Sequence, residues 1–181
     1  MKFNPTHTKW LKCFHLLAAA GWVGGAFSLM LLHFLRFEGA EIGEVLHGID
    51  KASHLIDMGV VVILGALGCL LTGLLYSLLT NWGFFRHKWL ILKWVITVFG
   101  ILSGTFFLGP WETKMNDISR QQGDAALLDE NYLSSMYMNF WFGILQIVLL
   151  VSAMFISVFK PWKTKNPDFW PFLRRLQTDT Q

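Results

Sequence analysis

Long, sparsely charged apolar runs alternate with short polar clusters along this chain, and the runs set its architecture. A helix needs about 20 apolar residues to cross the ~30 Å hydrocarbon layer of a bilayer. Four runs meet that length, at about residues 13–35, 55–79, 89–109 and 136–159. Gly109-Pro110 is expected to stop the third, since proline breaks a helix interior, and Lys160-Pro161 to close the fourth. The longest polar stretch, Glu112 to Ser135, reads as the second outer loop, with room for a short amphipathic helix around Gln121, Gln122 and Gly123. The pattern predicts an all-α integral membrane four-helix bundle: one domain over residues 1–181, ending in a tail from 160 to 181.

Composition removes the soluble alternative. The chain is 54% hydrophobic and only 15% charged, against roughly 45–50% and 25% in soluble domains. Sixteen Phe and nine Trp exceed what a water-soluble core of 181 residues needs. Lys and Arg then orient the bundle, because basic loops resist translocation. Eleven of the fifteen lie on the side holding the N-terminus, the loop around Arg86 and the C-terminal tail. Arg36, Lys51, Lys114 and Arg120 lie on the other, with every acidic residue except Asp168 and Asp179. Both termini are thus expected in the cytoplasm, and the protein in the inner (plasma) membrane. Trp10, Trp82, Trp89, Trp162 and Trp170 suit the inner interface and Trp111 the outer one. The tail, with Phe169, Trp170 and Phe172 before Arg174-Arg175, suits anionic headgroups. Cys13 and Cys69 read as buried thiols, not a disulfide.

Small residues recur at Gly21 and Gly25, at Gly65, Cys69 and Gly73, and at Gly100 and Gly104. Such rows let helix backbones approach closely in lipid. Ionisable groups in spans are costly and are candidates for function. Those here are His15, His33, His54, Asp57, His87 and Lys93, with Gln146 near the middle of the fourth span. They sort by depth into an inner His15/His87/Lys93 group and an outer His33/His54/Asp57 group. His15 and His33 share a helix face at a separation of ~27 Å. His54, Asp57 and Met58 share another, where a carboxylate can orient an imidazole ligand. Phosphate-cradling glycine loops, HExxH and CxxC are all missing, and nothing suggests a nucleic-acid surface.

Lys12-Cys13-Phe14-His15, then Trp22 with Gly24-Gly25 behind it, resembles the opening of two related membrane families: the HemJ-type protoporphyrinogen oxidases and the CopD copper-resistance membrane domain. Trp89 four residues before Lys93 matches the start of the third HemJ helix. The stretch from Thr80 to Trp89, with Gly104-Thr105 and Gly109-Pro110-Trp111, resembles a group of uncharacterised bacterial four-helix membrane proteins. The HemJ resemblance implies haem b or another porphyrin in the bundle. His15 would be ligand or proton acceptor, Lys93 partner to a propionate, and Trp22 a pocket wall. Arg36 and Gly104 stand where HemJ proteins carry further histidines, so the fold carries over and the oxidoreductase activity does not.

The leading expectation is a porphyrin-binding membrane protein with a redox role, using His15 and Lys93, with His33 or His54 holding a second group outside. A copper or small-cation transport module would instead draw on His33, His54, Met58 and Met30; as a metal site, His15 and His54 are the candidates. A non-catalytic subunit or scaffold needs no ligand. The expected partners are the lipid bilayer, a porphyrin or metal ligand, and a second copy of the chain.

Overall fold

The computed structural model describes residues 5–39, 45–79 and 88–160. Its elements form four long helices: α1 (Pro5–Gly39), α2 (Leu46–Leu79), α3 (Lys88–Leu128) and α4 (Glu130–Phe159). Each is long and apolar enough to cross a membrane. In the most apolar 18-residue stretch of each helix at most 22% of the residues are buried. Most of those apolar side chains therefore face outwards, and only a hydrocarbon surrounding can cover so large a surface. The four-span all-α membrane architecture is as expected.

The helices outrun the apolar runs, α1 from Pro5 rather than near residue 13 and the others chiefly at the opposite end. α2 begins at Leu46 rather than near residue 55, because Leu46, Asp50 and Ser53 fall on one buried face at helical spacing. Gly109-Pro110 does not stop α3. The preceding residues Gly104–Leu108 form a widened π-helical turn, in which the Gly109 N–H reaches back to the Gly104 carbonyl. Pro110 then enters the first turn of the next α-helical segment, where its ring is best tolerated. Gly109 suits this turn, since a Cβ there would lie 3.1 Å from the Gly104 oxygen. The helix runs on to Gln122, burying Glu112, Met115 and Ser119. It turns at Gly123, whose φ of 57° favours glycine. α4 begins at Glu130 rather than near Met136. Its N-cap is Asp129, whose carboxylate accepts from the backbone N–H groups of Asn131 (2.8 Å) and Tyr132 (3.3 Å). The polar stretch expected to be a loop is thus a helix–turn–helix, packed on the start of α2 as a cap with Leu46, Met115, Ala126 and Tyr132 in its core.

Within the spans, the core gathers Ala18, Trp22, Val61, Ala66, Cys69 and Leu150. The glycine rows divide. Gly21, Gly25 and Gly65 bring α1 and α2 together, and a Cβ on Gly65 would lie 2.6 Å from the Trp22 Cα. Gly100 meets the Trp22 ring, whereas a Cβ on Gly73 or Gly104 would meet nothing within 4 Å. Those last two border cavities instead. Cys69 is buried, but Cys13 is exposed on the outer surface of α1; both are free thiols. Trp10 is exposed, whereas Trp89, expected at the interface, is buried between helices. Trp82, Arg86, His87, Trp162, Trp170 and the tail beyond Lys160 lie outside the described residues.

Candidate functional site

Lys12 of α1, Lys93 of α3 and Lys160 after α4 line one cavity of about 310 Å³, which places them at one end of the bundle, here the basic end. The cavity also exposes His15, Cys69 and Tyr76, and among the described residues no carboxylate lines it. His15 Nδ1 lies 2.7 Å from the Thr72 hydroxyl of α2. Thr72 spends its single proton on the Gly68 carbonyl one turn back. With that proton on the Gly68 carbonyl the hydroxyl accepts from His15 Nδ1, in the tautomer that leaves the lone pair on Nε2. Lys93 reaches across to α4, where its ammonium donates to Ser157 Oγ at 3.1 Å. The site therefore offers an oriented imidazole among three cations, with walls from all four helices.

The opposite, acidic end is closed around an arginine. Arg36 Nε donates to Asp50 at 2.7 Å and its Nη2 to Glu112 at 3.0 Å. The Tyr132 hydroxyl is 3.0 and 3.2 Å from the two Asp50 oxygens. Arg36 and Asp50 are 2% and 0% exposed, so this is a fully desolvated network tying α1 to α2, α3 and α4. Arg36, which the sequence only places on the outer side, is thus the centre of that network. Beside the network, a small cavity of about 50 Å³ is lined by His33, Asp57, Glu112, Asn139 and Gln146. It has room for a water molecule and little more. His33 stacks on Phe140 with ring centroids 4.4 Å apart. His54 lies one turn before Asp57, and its buried Nδ1 has no hydrogen-bond partner.

Of the candidates, then, His15 and Lys93 share one cavity, while His33 and His54 lie at the other end. Trp22 is elsewhere: midway along α1, it lines a groove between α2 and α3 rather than the His15 cavity. His15 and His54, at opposite ends, do not meet around one ion. Among the described residues no group of three or more His, Cys, Asp and Glu is placed to hold a metal, and Met58 points outwards, 47% exposed. The residues that the sequence left unnoticed are Thr72, Ser157 and the partners of Arg36. A hydroxyl one helix away leaves no periodic trace. Glu112 and Asp50, however, fall on helical faces with Met115 and Leu46, and that spacing could have exposed them.

Four apolar spans define a multi-pass integral membrane protein. The chain belongs to the DUF2269 family, described as predicted integral membrane proteins, which it matches over residues 9–161. That match takes in most of all four helices and carries no activity with it. No curated protein matches the chain, and neither does any solved structure.

Proposed function

We propose that the protein binds a porphyrin, haem b in the first instance, in the basic-end cavity, with that end facing the cytoplasm. The observation that carries this reading is the His15 imidazole: Nδ1 is tied to Thr72 and Nε2 is left as the lone-pair donor. A histidine ligand to iron characteristically has its second nitrogen anchored this way. Lys12, Lys93 and Lys160 line the cavity and supply positive charge for the two carboxylates of a porphyrin. The volume of about 310 Å³ lies at the lower end of small-molecule sites, so a macrocycle would extend between the helices into the bilayer. Propionates favour such an interface and the ring favours apolar surroundings.

The donor set therefore fits the group. Haem supplies one-electron chemistry when bound. The chain's own part is narrower: His15 ligates, Thr72 fixes its tautomer, and the lysines hold the carboxylates. Trp22, His33 and His54 take no part at this site. The basic end is assigned to the cytoplasm on the distribution of Lys and Arg.

An absorption spectrum of the detergent-purified protein, oxidised and then dithionite-reduced, tests the reading. The expected result is a Soret band that sharpens on reduction, with a b-type pyridine haemochrome. A flat visible spectrum after expression with added haem would overturn it.

A further inference from the structure

The Arg36 network leaves one carboxylate out. Asp57, two turns along α2 from Asp50, is 7% exposed, and among the described residues no hydrogen bond or ion pair reaches its carboxylate. Its oxygens are not among the fully enclosed atoms that lack a partner, so they keep surface towards the spaces that Asp57 lines. Those spaces are the cavity of about 50 Å³ and a groove of about 940 Å³ between α2 and α3. α2 widens into π-helical turns from Asp57 onwards and α3 at Gly104–Leu108, so both helices depart from α-geometry beside the cavity.

Three carboxylates, of Asp50, Glu112 and Asp57, are thus set against the single guanidinium of Arg36. His33 lines the cavity and His54 lies one turn from Asp57, but neither forms an ion pair with it. A carboxylate without a partner is costly inside a bilayer, and a bound cation removes that cost. The donors around the cavity are oxygens. Glu112 gives Oε1 to Arg36, and no described residue donates to its Oε2. Asn139 donates Nδ2 to the Leu108 carbonyl, which leaves its Oδ1 free. Gln146 Oε1 lies 3.1 Å from the Ser103 hydroxyl and keeps a second lone pair. Oxygen sets of this kind hold hard cations. Only two carboxylates line the cavity, too little charge for tight binding of a divalent ion.

The groove supplies a way in, since Asp57, Val61, Leu108 and Gln146 border both spaces. At the cap, Asp117 and Asp129 line it with Lys114, whose ammonium donates to Asn131 Oδ1 at 3.0 Å. A mouth in which acids outnumber bases concentrates cations.

We propose that the cavity beside Arg36 binds a small monovalent cation, of sodium size, between Asp57 and Glu112, with the amide oxygens of Asn139 and Gln146 as neutral ligands. The cavity shares no lining residue with the His15 site, so this proposal and the porphyrin reading stand or fall separately.

The test is radiosodium binding to the detergent-purified protein at neutral pH, beside thermal unfolding in which sodium chloride replaces choline chloride at constant ionic strength. The expected result is saturable binding of one ion per chain, displaced by unlabelled sodium and not by choline. The unfolding midpoint should rise with sodium, because the ion binds the folded state. Asp57→Asn should abolish both effects, with helix content unchanged and a sodium-free midpoint no lower than the parent's. Asn139→Leu, which removes a neutral donor, should weaken sodium binding and leave it saturable. Three results overturn the proposal: no saturable binding by the parent, meaning that a proton or water serves Asp57; equal binding by the parent and both variants, meaning surface ions only; or a midpoint that responds to sodium and choline alike, a bulk salt effect.

Discussion

The two ends of the bundle handle buried charge in opposite ways. At the acidic end, Arg36 is enclosed by Asp50, Glu112 and Tyr132, and the helices run beyond the apolar spans to form a packed cap over them. At the basic end, the same four helices part around three lysines and a histidine, with no acid among the described lining residues. One end pairs its charges with each other; at the other, His15 and Lys93 are held by the neutral hydroxyls of Thr72 and Ser157 beside a cavity. Ion pairs that satisfy one another hold a fold together, whereas like charges gathered around a cavity destabilise it unless something of opposite sign binds. The comparison thus separates what holds the helices from what the helices hold.

Arg36→Ala should break the comparison most severely. It strands two buried carboxylates, for which the expected loss is about 3–5 kcal/mol, seen as a large drop in thermal midpoint in detergent. Porphyrin binding by the fraction that remains folded should be unaltered. Gly65→Val comes next: its Cβ would press on the Trp22 backbone at 2.6 Å and cost about 1–3 kcal/mol by forcing α1 from α2. A melt indistinguishable from that of the parent would deny the close approach.

Thr72→Val sharpens the other side. It should leave the melt within about 1 kcal/mol of the parent yet weaken porphyrin affinity about 10–100-fold by freeing the His15 ring. The smallest effect belongs to Asp129 in the turn before α4. The Gln122 side chain, then the backbone N–H groups of Asn131 and Tyr132, hold its carboxyl below the usual carboxylate value. Its contribution is therefore complete above the unfolded value of about 3.9 and is lost as pH falls through the lowered folded value. Asp129→Asn, which still caps, should remove that acid dependence from the melting curve and change little at neutral pH.

The four spans and the similar depth of His15 and Lys93, which line one cavity, were legible, because both rest on length and position along the spans. The cap was not. Asp50, Lys51 and His54 interrupt the apolar run that marks α2, although Leu46, Asp50 and Ser53 keep helical spacing. Gly109-Pro110 looked like a terminator because proline ordinarily is one, and the π turn that absorbs it has no sequence signature of its own. Trp22 was read as a wall of the His15 cavity from a motif that gives order along α1 but not the direction of a ring. Gly65 and Gly100, which fix that direction, lie on other helices.

The most direct test of the central claim is a haemin titration of the purified apoprotein beside His15→Ala, followed by absorption and by electron paramagnetic resonance. The account predicts stoichiometric binding by the parent with a histidine-ligated b-type signature. It also predicts that His15→Ala folds and melts normally but loses that signature. Equal spectra from the two proteins would contradict it and remove His15 from the site.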